Sequence, residues 1–178
     1  SYHQDAGLVI STLPDGTWTA KDAAGVDLTA AIASAVTPGS IYDTRQAGDG
    51  AGSLQQLELD LGALAATGHF PSNGLIYMSG AGAGSGTDVK AFTLTNGATL
   101  PSGLTVVSPN SIYLHGDYNT NAPKPASIIA DAANLLSNAW DNSKTPGSLP
   151  TATETTYNVS IIAGDTESTA TAENGGPH

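Results

Sequence analysis

The 178-residue sequence has no cysteine, which removes disulfides, thiolate metal ligands and cysteine nucleophiles from consideration. Basic residues are almost as scarce: Lys21, Arg45, Lys90, Lys124 and Lys144 stand against sixteen acidic residues, for a formal charge of −11. Contact with a phosphate backbone needs clustered Lys and Arg to release counterions, and these five lie scattered along the chain, so nucleic acid is excluded as a partner. The same sign argument disfavours contact with an anionic membrane, and the acidity itself serves solubility. No apolar run approaches the roughly twenty residues of a membrane-crossing helix, and no basic segment leads into an apolar one. With Ser1 in place of an initiator methionine, the stretch reads as a fragment of a larger exported protein whose signal lies upstream.

Charged residues make up only 12% of the chain, about half the usual globular share, so the polar surface is built from Ser, Thr, Asn and Gly. Thr, Val, Ile and Tyr dominate the ordered-looking stretches, which favours strands. The length suits one domain with one core. Residues 6–19 (AGLVISTLPDGTWT) read as two short strands about a Pro14-Asp15-Gly16 turn. Residues 26–36 (VDLTAAIASAV) carry Leu28, Ile32 and Val36 at a helical period after a cap at Asp27, predicting a short helix. A second candidate helix spans 54–66 on Leu57, Leu61 and Leu64, although QLELDL also alternates like a strand.

After Pro71 the texture changes to short apolar runs at 74–79, 89–97, 103–109, 111–119, 126–137 and 157–164, punctuated by Gly, Asn, Asp and Ser. Asn96-Gly97 is followed by Ala-Thr-Leu-Pro, which turns a corner and starts no matched return strand. These features predict a mainly β fold, a right-handed parallel β-solenoid with one or two short helices near the N-terminal part, with a β-sandwich as the alternative. The expected organisation is a single domain, 1–178: a mixed part at 1–70, solenoid-like strands at 71–164 and a flexible tail at 165–178. Residues 80–88 (GAGAGSGTD) and 141–155 read as surface loops. Within 102–140, Leu104, Val106, Ile112, Leu114, Ile128 and Leu135 are expected in the core, with Asp117, Asn119 and Lys124 on an exposed corner.

FPSNGLIYMS, LTNGATLPSGLTVVSPNSIYLHGDYNT, KPASIIADAANLLSNAWDNS and TTYNVSIIAG together resemble the exported domain of bacterial type IV pilus assembly, or PilX-like, surface proteins. YHQDAGLVI, IYDTRQ and QLELDLGAL fall in the same order as that family's earlier segments. The resemblance implies a β-solenoid-like exported domain, extracellular or in the cell envelope, that follows a pilin-like membrane helix absent from this sequence. It carries no catalytic residues over, because the family has no established active site.

Candidate chemistry is sparse. Glycan-active β proteins pair carboxylates, one protonating the leaving oxygen and one activating water. Asp117, Asp131, Asp141 and Asp165 are the candidates, although Asp117 and Asp165 beside glycine suit turns and Asp131 suits a structural hydrogen bond. His115, two residues before Asp117, offers a base or a metal ligand without a third partner, and His3, His69 and His178 stand alone. Oxygen-rich turns suit calcium better than zinc, but neither EF-hand nor nonapeptide spacing occurs, so no cofactor is assigned. The Gly-rich loop lacks the Gly-Lys-Ser/Thr ending, and Ser85 lacks a nucleophile elbow. Asn158-Val159-Ser160 matches the glycosylation pattern within an expected strand and is taken as chance. Among Trp18, Trp140, Tyr113 and Tyr118, Trp140 is the best placed for sugar stacking, sitting in a polar context before a loop.

The binding candidates are therefore His115, Asp117, Asp131, Trp140 and Asp141. The expected function is a non-catalytic structural or adhesive module with protein partners or self-association; the alternative is a carbohydrate-binding or polysaccharide-degrading protein.

Overall fold

The computed structural model describes residues 1–43, 52–80, 88–164 and 176–177. A short helix α1 (Tyr2–Asp5) precedes β1 (Leu8–Thr12) and β2 (Trp18–Asp22). These two strands pair antiparallel about the Pro14-Asp15-Gly16 turn, as the residues predict. Asp15 Oδ1 accepts from the Thr17 N–H at 2.9 Å and the Thr17 hydroxyl at 2.6 Å, and Gly16 takes φ +84°. The next strands are β3 (Val36–Tyr42) and β4 (Ser53–Asp60), also antiparallel. Helix α2 (Leu61–Ala66) follows directly, capped by Asp60 Oδ1 accepting from the Ala63 N–H at 2.7 Å.

After β4 each described strand lies in the sheet opposite its predecessor. β5 (Leu75–Ser79), β7 (Leu104–Ser108), β9 (Ala126–Ala130) and β11 (Ser160–Ala163) join β1 and β2 in a first sheet, ordered β11-β9-β7-β5-β1-β2. β6 (Val89–Thr95), β8 (Ser111–His115), β10 (Ala132–Leu136) and β12 (Gly176–Pro177) join β3 and β4 in a second, ordered β12-β10-β8-β6-β4-β3.

The chain is mainly β, with two mixed sheets and two short α-helices among the described residues, which corrects the expected right-handed parallel β-solenoid. β2 and β3 run antiparallel to β1 and β4, so neither sheet is wholly parallel. The β-sandwich alternative, with its antiparallel sheets, is corrected by the remaining pairings, all of them parallel. The punctuated β-branched runs after Pro71 report only the parallel strands. The antiparallel edges come from the N-terminal third, where a tight turn makes one hairpin and β3 and β4 pair over seven residues.

The helix expected at 26–36 is corrected as well. Leu28 and Ile32 do share one turn, with the Ile32 N–H on the Leu28 carbonyl at 3.0 Å, but only a 3₁₀ turn at Ala33–Ala35 follows before Val36 opens β3. Thr29 leaves the helical pattern because its hydroxyl accepts from the Ala20 N–H at 2.9 Å. At 54–66 the alternating QLELDL half is strand β4 and the helix is confined to Leu61–Ala66.

The core lies between the sheets. Leu8, Ile10, Ile76, Met78, Leu104, Val106 and Ile128 face Leu57, Leu59, Phe92, Leu94, Ile112 and Leu114, all buried. Each side chain of this size contributes on the order of 1.5 to 3 kcal/mol by leaving water. One end of the core is closed by Ile32, Ala35, Leu61 and Leu64. Leu135, expected inside, is 43% exposed; among the described residues β12 pairs with β10 at Ala132 and Ala133 and does not reach Leu135. Asn119, expected on an exposed corner, is buried. Of the Gly-rich loop expected at 80–88, residues 81–87 lie outside the described residues, and of the flexible tail expected at 165–178, residues 165–175 and 178 do, while 176–177 form β12.

Candidate functional site

The C-terminal ends of the second sheet's parallel strands gather most of the predicted site. His115 ends β8 in register with Leu136 of β10, half-buried. Gly116, at φ +80°, then turns the chain so that its N–H reaches the Leu136 carbonyl at 2.9 Å. Asp117 follows, its N–H donating to Asn138 Oδ1 at 2.9 Å and its own Oδ1 accepting from the Thr156 N–H at 2.9 Å. Asn138 in turn takes the Thr155 hydroxyl on its N–H at 2.9 Å and donates from Nδ2 to the Glu154 carbonyl at 3.2 Å. Three loops far apart in sequence are thus tied together at one corner, with Asp117 as an acceptor for backbone. Tyr157 donates to the Leu136 carbonyl at 2.6 Å beside them; burial pushes its phenol up, the nearby Thr155 bond opposes this, and the negative Asp117 adds to it.

Trp140 lies on the outer face of the same sheet, packed against Ile41, Leu54, Ala91, Tyr113 and Leu136. Its indole N–H donates to Asn142 Oδ1 at 2.6 Å, and Asn142 Nδ2 donates to Glu58 Oε1 at 2.6 Å. Gln56 Nε2 reaches the same Glu58 oxygen at 3.3 Å, and the Thr93 hydroxyl donates to Gln56 Oε1. This chain of side chains pins the 137–145 loop to β4 and β6. Nearby, the buried Tyr113 hydroxyl donates to Asp43 Oδ2 at 3.0 Å. Asp141 turns its own loop, accepting from the Ser143 hydroxyl at 2.7 Å and the Ser143 N–H at 2.8 Å, which together hold its carboxyl below the ordinary value.

Asp131 is placed elsewhere, between β9 and β10 at the opposite ends of the strands, where its carbonyl accepts from the Gly164 N–H at 2.9 Å. Its Oδ1 is buried without a hydrogen bond. Asp165 lies outside the described residues. The structure therefore brings His115, Asp117, Trp140 and Asp141 to one side of the molecule and separates Asp131 from them. Among the described residues no three His, Asp or Glu side chains gather in a way that could hold a metal ion.

Surface grooves among the described residues include one beside the candidate residues and one on the first sheet. One, of 320 Å³, runs beside Trp140 and is lined by Asn134, Leu135, Leu136, Ser137, Leu149 and Pro150. It offers apolar surface and the Ser137 hydroxyl, Asn134 being buried beneath it, and no lining residue that would exchange protons near neutral pH. The other, of 470 Å³, lies on the outer face of the first sheet under α1, where His3 meets Tyr77 edge-on at 5.1 Å. Its floor is the in-register apolar row Tyr77–Val107–Ile129–Ile162, which Val9 continues beyond the groove, flanked by the hydroxyls of Thr105, Ser127 and Ser160. The alternation of the strands forecasts such a row, but only the register shows that its members stand side by side.

Asn138, Asn142, Glu58 and Asp43 are polar residues that sequence reasoning missed. Each bonds to a segment remote in sequence, and composition carries no signal for that. No known protein family, curated protein or solved structure matches the chain.

Proposed function

We propose that this chain is a non-catalytic structural or adhesive module of an exported bacterial pilus-associated or cell-surface protein, working by offering surface to protein partners. The observation that carries the reading is how the candidate groups are engaged. Asp117 and Asp141 accept from backbone N–H groups, and the Trp140 indole is committed to Asn142. Groups bound in this way stiffen loops, whereas a glycan-cleaving pair needs two carboxyl groups facing one bond. The outer face of the first sheet adds a flat uncharged row suited to contact with another protein. The segments resembling PilX-like proteins supply the setting.

The test is to place a photo-crosslinking residue at Ile162 in the producing bacterium and to fractionate the cells. The expected result is an envelope or extracellular location, with a defined protein adduct that the same residue at Asp15 does not give. A cytoplasmic location with no adduct would contradict the reading. A second reading, binding of a neutral glycan, is favoured by Trp140 lining a groove with Ser137 and the exposed Leu135. A glycan array probed with wild type and Trp140→Ala decides it: a signal lost in the variant supports this reading, and a blank array removes it.

A further inference from the structure

The chain has two tryptophans, and they are engaged differently. Trp140 commits its indole N–H to Asn142, whereas Trp18 makes no hydrogen bond among the described residues and its N–H is open to solvent. Trp18 opens β2 opposite Thr12 of β1, half-buried against the core. Beside it a groove of about 480 Å³ runs between the β1–β2 turn and the β3–β4 pair, lined by Asp15, Gly16, Thr17, Trp18, Pro38 and Gln55. The turn is firm, with the Leu13 N–H on the Thr17 carbonyl at 2.8 Å and the Gly16 N–H on the Leu13 carbonyl at 2.9 Å. Asp15 gives only Oδ1 to Thr17, and its Oδ2 has no partner among the described residues. The Thr17 hydroxyl and N–H hold this carboxyl below its ordinary value, so it is a charged acceptor at neutral pH. Gln55, exposed on β4 opposite Ser40, has an amide equally without a partner among the described residues.

We propose that this groove is a binding site for a neutral pyranose sugar, its ring stacked on Trp18 and its neighbouring hydroxyls held by Asp15 Oδ2 and the Gln55 amide. The chemistry of the lining selects a sugar. An indole presents an apolar plane to the C–H face of a pyranose, a carboxylate oxygen accepts from two adjacent hydroxyls, and an amide both donates and accepts. No cation lines the groove to attract an anionic ligand, and Pro38 alone supplies aliphatic surface, too little for a lipid chain. The site lies between the outermost strands β2 and β3, away from the Trp140 groove beside β10. A shallow site for one ring binds weakly, with a dissociation constant on the order of a millimolar, and gains avidity from a repeating glycan. The inference goes beyond the contact-module reading and does not rest on it.

Nitrogen-15 NMR of the full chain, titrated with free glucose, galactose, mannose and N-acetylglucosamine, tests it, because the two indole N–H groups give separate signals. At least one of these sugars should shift the Trp18 indole and Gln55 side-chain signals saturably and leave the Trp140 indole unmoved. Gln55→Ala, at an exposed position, should weaken binding about fivefold, as the loss of one hydrogen bond, with an unchanged melting temperature. Trp18→Ala should abolish binding; because that ring packs against the core, Gln55→Ala is the deciding variant if Trp18→Ala loses the fold. No shift with any of these sugars, shifts confined to Trp140, or an undiminished affinity in Gln55→Ala would overturn the proposal. Shifts confined to Trp140 would instead support the glycan reading of the Trp140 groove, and the crosslinking result at Ile162 bears on neither.

Discussion

Asn119 adopts φ +56°, is buried, and closes three chain segments at once. Its Nδ2 donates to the Lys124 and Asn158 carbonyls at 2.7 and 2.8 Å, while its Oδ1 accepts from the Lys124 N–H at 2.8 Å. Asn119→Ala removes every one of these part-buried bonds, each worth about 0.5 to 1.5 kcal/mol. Thermal melts should show a loss of about 2 kcal/mol or more. A loss below half of that would mean the corner is held by other contacts. Sequence reasoning finds the turn at this position, because Asn tolerates the left-handed region, but turn chemistry says nothing about burial.

Its neighbour Tyr118 behaves oppositely, since the ring is buried and the hydroxyl has no hydrogen-bond partner, so burial pushes the phenol well above its ordinary value of 10.0. Tyr118→Phe should therefore stabilise the protein, by about 1 kcal/mol. The phenol is raised in the folded state, so its contribution is fully present below the unfolded value and is lost as pH climbs past it toward the folded one. Between wild type and Tyr118→Phe the difference in melting temperature should thus widen above about pH 10. A constant difference across that range would show that the phenol is solvated in the fold.

Strands are the most legible elements. The runs at 74–79, 89–97, 103–109, 111–119, 126–137 and 157–164 each contain at least one strand, because alternation and β-branching act locally. Register and edge position depend on distant partners, which is why Leu135 and Ile128 look alike in sequence and differ in place. Ile128→Ala should cost about 2 to 5 kcal/mol, as expected for a filled core position, whereas Leu135→Ala should cost less than about 1 kcal/mol. Chemical denaturation of the two variants measures this, and equal losses would mean that the end of the core is covered in solution. Among the loops, the Asp15, Asp27 and Asp141 turns all hold their carboxyls below the ordinary value through hydrogen bonds from Thr17, Thr29 and Ser143. Their contribution is present above the unfolded value and fades as pH falls through the lowered folded one. Asp141→Asn, which keeps the acceptor oxygen, should flatten that acid dependence for its loop without changing the neutral-pH structure, as amide chemical shifts would report.

For the molecule as a whole, composition forecasts a β-rich chain with an uncharged polar surface, and the two sheets are built from those residues. The local pattern forecasts the β1–β2 hairpin through its turn but not β3, whose place is set by its pairing with β4. The candidate site was partly legible. Asp117 reads as a turn residue and accepts from a backbone N–H, Asp141 reads as a binding candidate and instead turns its own loop, and the loop-pinning partners of Trp140 lie as far away as Glu58. The central claim is that these groups hold loops and do not act on a substrate. The most direct measurement is release of reducing ends from a panel of neutral and acidic polysaccharides by the purified wild type, beside Asp117→Asn, Asp131→Asn and Asp141→Asn. The account predicts no release above the protein-free rate by any of the four; release by the wild type that any one substitution abolishes would contradict it.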